Sequence, residues 1–192
     1  MSKKILIMAG GTGGHIFPAL AIAKELKERG AVVEWLGGKN AMESRLVPRH
    51  GYKFHGVSSS GLRGKNLLVI LKAFFLLGCG FFQTVIIFIN YRPNIVIGMG
   101  GYASGIGGLI SKLFFVPLFI HEQNSVPGTT NRLLSRLASK CFQAFENTFP
   151  ESAGAITTGN PILFNPIPKN EPKSVKNLLV LGGSLGAKKI NQ

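Results

Sequence analysis

The residues best suited to chemistry lie near the start of the chain, in the stretch MAGGTGGHIFPAL at 8–20. It places four glycines, Thr12 and His15 between an apolar run and an amphipathic segment. Glycines let the backbone adopt positive φ and let a ligand approach the main chain closely. Amide groups at the start of a helix attract anions. The combination predicts a loop that binds a phosphate or a sugar. A plain tight turn is the alternative, but it explains one or two glycines and not four.

Two familiar phosphate-binding loops fit this stretch poorly. A P-loop needs GxxxxGK[ST], and no lysine follows these glycines. The dinucleotide fingerprint GxGxxG also fails, because Gly11 and Gly13 are followed by Ile16 where the third glycine belongs. Glu34 falls near the position of a ribose-binding acid, but it lies inside a predicted strand. A nucleotide-binding oxidoreductase is therefore disfavoured.

Two further turns follow predicted strands, GMGGYASG at 98–105 and HEQN at 121–124. The carboxyl ends of parallel strands share one edge of the sheet, where open α/β sheets bind ligands. Tyr102 adds a hydroxyl group to the first turn. Four consecutive polar side chains are costly to bury unpaired, so the second turn is either solvated or organised around a ligand. Close packing of helix on sheet is the alternative explanation for the glycines at 105–108.

Composition narrows the classes of partner. The chain has 192 residues and a net charge of +14, which implies an anionic partner: a phosphorylated substrate, an acidic membrane surface or nucleic acid. Nucleic acid ranks last, because basic and aromatic residues do not interleave. All eight acidic residues are glutamate, so the sequence holds neither an Asp-x-Asp metal site nor a Ser-His-Asp triad. No metal is expected.

Alternating apolar runs and amphipathic segments predict an α/β fold with a parallel sheet covered on both faces. The predicted strands lie near 4–9, 31–36, 52–57, 95–98, 117–120, 141–144 and 155–157, and the predicted helices near 17–29, 41–47, 65–90, 102–114 and 129–139. A stretch rich in proline and lysine at 161–176 is typical of a linker, and a new strand then runs into GGSLGA. We expect one domain at 1–160, a linker at 161–176 and the truncated start of a second domain at 177–192.

Residues 67–90 hold one charge and are long enough to span a bilayer as a helix. A membrane span is nevertheless disfavoured, because it would separate two glycine-rich turns of one sheet. We expect a crossover helix with one face in the core and another available to the bilayer, and an all-core helix is the alternative. Its helical spacing sets a polar stripe that includes Cys79, Gln83 and Asn90 opposite an apolar stripe. Its predicted membrane residues are Phe74, Leu77 and Phe81.

A second predicted membrane contact lies in NRLLSRLASK at 131–140. Arg132, Arg136 and Lys140 recur every four residues beside leucines. Basic residues near an anionic leaflet and an adjoining apolar patch together provide two attachment signals. A solvated charged face is the alternative.

Six motifs together resemble the MurG family of glycosyltransferases. They are GGTGGH, SGLRGK at 60–65, GMGGY, HEQN, TGNP at 158–161, and GGSLGA followed by Asn191. They occur in the expected order over the whole chain. The resemblance implies the Rossmann-like amino-terminal domain of a GT-B glycosyltransferase. The family transfers N-acetylglucosamine from UDP-N-acetylglucosamine to the C4 hydroxyl of the MurNAc unit of lipid I, undecaprenyl-diphosphate-linked MurNAc-pentapeptide, forming lipid II in peptidoglycan synthesis. Transfer is inverting and needs neither a cofactor nor a catalytic metal.

The resemblance also implies roles for residues. His15 is the candidate general base, with helix capping as its alternative role, and Glu122 is placed at the catalytic centre with Tyr102 on the acceptor side. Amides of Gly13 and Gly14, with the Thr12 hydroxyl, would meet either the sugar nucleotide or the acceptor diphosphate. Asn124 would contact the donor, and Ser184 and Asn191 belong to the donor side. Many relatives carry an arginine shortly after the position of Pro161, where this chain has ILF at 162–164, which puts donor affinity in question.

The expected partners are lipid I, UDP-N-acetylglucosamine, anionic membrane lipids and other cell-wall synthesis proteins, but not nucleic acid. The expected location is peripheral, on the cytoplasmic face of the bacterial inner membrane. Because the chain holds little of a donor domain, the alternative is a truncated and catalytically inactive α/β domain that only associates with the membrane.

Overall fold

The computed structural model describes residues 2–58 and 67–164, apart from the side chains of 67–72 and 74. Some predictions lie outside the described residues. They concern the motif at 60–65, most of the linker, the second domain with Ser184 and Asn191, and the side chain of Phe74.

The described chain forms a parallel α/β sheet of seven strands in the order β3-β2-β1-β4-β5-β6-β7. The strands are Lys4–Met8 (β1), Val32–Gly38 (β2), Lys53–Val57 (β3), Ile95–Gly98 (β4), Leu118–Glu122 (β5), Lys140–Gln143 (β6) and Ile156–Thr157 (β7). The helices are Gly13–Glu28 (α1), Met42–Arg49 (α2), Leu67–Tyr91 (α3), Tyr102–Leu113 (α4) and Thr129–Leu134 (α5). The predicted fold class is confirmed.

Successive residues of a strand point to opposite sides of the sheet, so an apolar strand makes both faces apolar. Helices cover both faces here. Ile5 and Ile7 of β1 face the core under α1 and α2. Leu6 and Met8 face the core under α3, α4 and α5. All four side chains are buried. Strand β1 therefore packs against both helical layers, and the first glycine-rich turn follows its carboxyl end.

Helix α1 begins at Gly13, four residues before the predicted start at 17. Fully buried Ile16 already belongs to its core-facing side. Gly13 and Gly14 are therefore helical residues, and of the four glycines in the motif only Gly11 has positive φ, at 92°. Pro18 consequently lies in the second turn of the helix and not, as predicted, in the first. The earlier start places the first helical amides directly after Thr12.

Helix α5 ends at Leu134, whereas the prediction extended it to 139. The amides of Leu137 and Ala138 both bond to the Leu134 carbonyl oxygen in a closing turn, and β6 begins at Lys140. The predicted basic stripe is therefore wrong as a helical face. Arg132 lies on α5, and Arg136 lies in the turn that follows it. Lys140 is the first residue of β6, so it lies where the strands of the sheet begin. All three side chains are exposed.

Helix α3 crosses over from β3 to β4, as predicted. Its Gly80 packs directly against the Ser58 backbone, where a Cβ atom would have no room. Gln83, predicted on the polar stripe of this helix, accepts a hydrogen bond from the Ser58 amide at 2.7 Å.

The predicted membrane residues Leu77 and Phe81 are partly buried and pack against the core. The apolar side chains that α3 exposes are instead Phe75, Phe82, Ile86 and Ile89. No helix in the described ranges 2–58 and 67–164 is both long and apolar enough to cross a bilayer.

Candidate active site

Three turns meet at the carboxyl edge of the sheet and enclose a cavity of about 350 Å³. They follow β1, β4 and β5, as the sequence predicted. Twelve residues line the cavity: Gly10, Gly11, Thr12, His15, Gly100, Gly101, Tyr102, Glu122, Gly128, Thr129, Thr130 and Asn131. The lining is rich in glycine and hydroxyl groups, and the first turns of α1 and α4 open onto it.

The first two turns pack directly on each other through glycines. A Cβ atom on Gly101 would lie 2.7 Å from the carbonyl oxygen of Gly10, and one on Gly100 would lie 2.9 Å from the His15 ring. Both glycines have positive φ, 87° and 112°. Only glycine meets both demands without strain. The β4–α4 turn therefore forms the surface on which the His15 ring rests.

A buried glutamate that sequence reasoning missed supports the first turn from behind. Glu43 on α2 is 2% exposed. Its Oε1 accepts a hydrogen bond from the Gly38 amide at 2.9 Å, and its Oε2 accepts one from the Gly11 amide at 3.2 Å. The carboxylate occupies the space where a Cβ of Gly10 would lie. Its place in the first turn of a short helix resembles an ordinary solvated acid, so the sequence held no signal of burial.

His15 lies in the first turn of α1, with Nδ1 2.7 Å from Oε1 of Gln123. The side-chain amide of Gln123 donates from Nε2 to the His121 carbonyl oxygen at 2.9 Å, which turns its oxygen toward His15. An amide oxygen only accepts, so Nδ1 of His15 must carry the proton. In the neutral ring with this tautomer, Nε2 carries a lone pair. A neutral imidazole with this tautomer is what a general base requires.

His121 continues the same hydrogen-bonded chain away from the cavity. Its Nδ1 lies 3.2 Å from Nε2 of Gln123, and its Nε2 lies 3.1 Å from the Gly159 carbonyl oxygen. Burial lowers the pKa of His121, an effect partly opposed by the Gly159 carbonyl and by Glu122. A neutral ring fits both contacts. His121 therefore links the HEQN turn to TGNP, and it is structural in this arrangement.

Glu122 is fully buried and accepts five hydrogen bonds. Oε1 accepts from the Gln123 and Asn124 amides and from Asn124 Nδ2, over 2.8 to 3.1 Å. Oε2 accepts from the Gly128 amide at 3.1 Å and from Asn131 Nδ2 at 2.9 Å. Five donors use the acceptor capacity of a carboxylate. The geometry therefore favours a role in shaping the β5–α5 turn over the catalytic role predicted for Glu122.

The structure brings four of the predicted site residues to one cavity: Thr12, His15, Tyr102 and Glu122. Gly13 and Gly14 lie between Thr12 and His15, at the start of α1. In the described part of the chain, their amides have no protein acceptor. Asn124 is exposed beside the cavity and is held by Glu122. No group of three or more His, Cys or Glu side chains among the described residues is placed to hold a metal ion.

Comparisons with known proteins identify relatives of this chain. The family model described as "Glycosyltransferase family 28 N-terminal domain" matches residues 5–143. A relative from Vesicomyosocius okutanii is 56% identical over the whole chain, which spans 55% of the relative. It is named "UDP-N-acetylglucosamine--N-acetylmuramyl-(pentapeptide) pyrophosphoryl-undecaprenol N-acetylglucosamine transferase". A relative of the same name from Methylococcus capsulatus is 46% identical, again over the whole chain and 55% of its own length.

Solved structures give a consistent picture. The crystal structure of Acinetobacter baumannii MurG is 37% identical with a TM-score of 0.77, covering 99% of this chain and 53% of that one. A UDP-GlcNAc 2-epimerase from Neisseria meningitidis, 16% identical with a TM-score of 0.58, shares the fold over 82% of this chain and 46% of its own. The chain thus spans about half the length of the curated relatives it matches.

Proposed function

The chain belongs to glycosyltransferase family 28, and on that premise we propose that it supplies the acceptor-binding half of an N-acetylglucosamine transferase of peptidoglycan synthesis. The donor would be UDP-N-acetylglucosamine and the acceptor lipid I, in accord with the names of its relatives. The observation that carries the proposal is the cavity at the carboxyl edge of the sheet, where His15 meets two helix amino termini and a row of hydroxyl groups.

The acceptor diphosphate would lie at the two helix amino termini. Helix dipoles and first-turn amides of α1 and α4 favour an anion at this point. Thr12 and Tyr102 both line the cavity, and a hydroxyl group can donate to a phosphate oxygen. The net charge of +14 favours the approach of such a substrate.

The chemistry would then need one base. Nε2 of His15 takes the proton of the acceptor C4 hydroxyl while that oxygen attacks C1 of the donor sugar. The bond from C1 to the diphosphate breaks, its electron pair leaves with UDP, and the configuration at C1 inverts. Gln123 holds the His15 tautomer, while Glu122 and Glu43 fix the turns. No step needs a metal ion. Asn124, Ser184 and Asn191 would contact the donor, as the resemblance implies.

Transfer of radiolabel from UDP-N-acetylglucosamine to a lipid I analogue tests this proposal. We would compare this chain with a chimaera that joins it to the carboxy-terminal part of the Vesicomyosocius okutanii relative, the part that this chain does not match. We expect transfer by the chimaera and none by this chain alone. An inactive chimaera that still bound vesicles would overturn the proposal and favour a membrane-associated domain without transferase chemistry.

We also propose a peripheral location on the cytoplasmic face of the bacterial inner membrane. The outer surface of the α3–α5 layer supports it, because α3 exposes four large apolar side chains, and others are exposed on α4 and in the turn after it. We define the apolar outer face by seven of them: Phe75, Phe82, Ile86, Ile89, Leu109, Leu113 and Phe115. Arg132 and Arg136 are exposed in the same layer. Apolar area beside basic side chains is the combination that attaches a protein to an anionic leaflet.

Reversing the charge of Arg132 and Arg136 with glutamate should weaken sedimentation with vesicles that contain anionic lipid by at least tenfold. Each basic residue near such a surface contributes about 1 kcal/mol. The matched control is Arg45→Glu with Arg49→Glu, which makes the same change in charge on α2, across the sheet. Equal loss of binding in both double variants would show that only net charge matters and would contradict the assigned face.

A further inference from the structure

A second cavity lies directly beside the candidate active site and has no part in the proposed transfer chemistry. It has a volume of about 400 Å³ and lies between α3, α4 and α5. Its walls are mostly leucine, isoleucine and phenylalanine side chains, including Phe81 of α3, Ile106 of α4 and Leu137. We call it the apolar groove. Its size falls in the usual range for small-molecule sites of roughly 300 to 1,000 Å³.

The apolar groove is continuous with the polar cavity. Tyr102, Thr129 and Thr130 line both of them. On one side of this shared wall lie the glycine turns and the helix amino termini, and on the other side lie aliphatic side chains. A ligand that filled both spaces would need an anionic or polar end joined directly to an apolar chain.

We propose that the apolar groove binds the first isoprene units of the lipid acceptor, next to its diphosphate. This rests on the proposed function. The relatives are named for a substrate in which pyrophosphate is attached to undecaprenol, so the hydrocarbon begins one bond from the diphosphate. With the diphosphate at α1 and α4, the first isoprene carbons reach the shared wall formed by Tyr102 and the two threonines. The groove on the far side offers them an apolar surface in place of water.

The groove adjoins the apolar outer face and shares Leu109 with it, but the two have different roles. Leu77 and Phe81, which face it, are partly buried against the core, whereas Phe75 and Phe82 on the same helix point outward. Leu109 and Leu133 lie at its rim and are 53% and 59% exposed. The remaining prenyl chain would leave the groove across this rim toward the bilayer. The protein would therefore bind the start of the prenyl chain as part of its substrate and leave the rest in the membrane.

Titration calorimetry without membranes tests the inference on this chain itself. The probes are geranyl diphosphate, which carries two isoprene units, and methyl diphosphate, which carries none. We expect geranyl diphosphate to bind at least tenfold more tightly, because only its chain removes apolar surface from water. Gly105→Leu should reduce that preference about tenfold, since Gly105 lines the groove and faces Thr130. Affinity for methyl diphosphate should not change.

Gly78→Leu is the matched control. It makes the same substitution on α3, where a Cβ atom meets open space and no wall of the groove. If Gly105→Leu unfolds the protein, Leu109→Asn at the exposed rim provides a second variant with the same expected loss. Equal binding of the two diphosphates, or an unchanged preference in a folded groove variant, would overturn the groove alone. Binding of neither diphosphate would overturn the diphosphate site of the proposed function, and with it the groove.

Discussion

Replacing His15 by alanine in the active chimaera should lower the rate of N-acetylglucosamine transfer by about 10²- to 10⁴-fold. This is the usual contribution of a positioned general base. The expectation rests on the tautomer that Gln123 imposes, because that contact leaves Nε2 of His15 with a lone pair. The loss should appear in kcat more than in KM, since the base acts on the reacting hydroxyl and not on substrate binding.

Two further variants make this result specific. His50→Ala removes an exposed histidine at the end of α2, away from the cavity, and should leave the rate unchanged. Gln123→Leu should lower kcat and alter the pH profile, because His15 would lose the acceptor that selects its tautomer. If His15→Ala keeps the full rate while its melting temperature falls, His15 only stabilises the start of α1 and the assigned base is wrong.

Strands β1 and β4 were predictable from the sequence because each is a short, largely apolar run. The strand at 95–98 matches β4, and the run at 4–9 ends one residue beyond β1. The start of α1 was not predictable, because Gly13 and Gly14 carry no side chain that could show helical periodicity. The end of α5 was missed for a related reason. Leu137 continues the apolar spacing, but it packs from a turn.

The three turns of the candidate site were also predictable, since glycine and polar residues directly follow three predicted strands. The side chains that hold these turns in place were not predictable. Glu43 reaches Gly11 across 32 positions and Gln123 reaches His15 across 108 positions. Such contacts depend on how α2 and β5 pack, and local spacing carries no information about them.

The exposed face of α3 also could not be predicted from local spacing. The helix is apolar almost all round, so periodicity alone selected Leu77 and Phe81 for the membrane. In the structure Gly80 packs against the Ser58 backbone, Leu77 and Phe81 face the groove beside α4, and Phe75 and Phe82 are exposed.

Replacing Glu122 by glutamine should destabilise the protein by about 2 to 5 kcal/mol, a large part of the stability of a typical domain. Each carboxylate oxygen accepts at least two hydrogen bonds from N–H groups. In either orientation the new NH₂ group would therefore point at N–H donors in a site with no exposed surface. At least two buried donors would lose their acceptor, and each unsatisfied buried group costs about 1 to 3 kcal/mol.

Urea unfolding monitored by circular dichroism measures this loss, and Glu25→Gln is the matched control. Glu25 forms an exposed ion pair with Arg29 on α1, so its free energy of unfolding should change by less than about 0.5 kcal/mol. The comparison separates the loss of a negative charge from the loss of a buried acceptor. If Glu122→Gln were as stable as the control and the chimaera carrying it lost transfer, the carboxylate would act in the chemistry and its structural role would be wrong. A large fall in stability would instead explain why a fully buried acid lies beside a site whose base is a histidine: it holds the β5–α5 turn, and with it Gln123, in the position that orients His15.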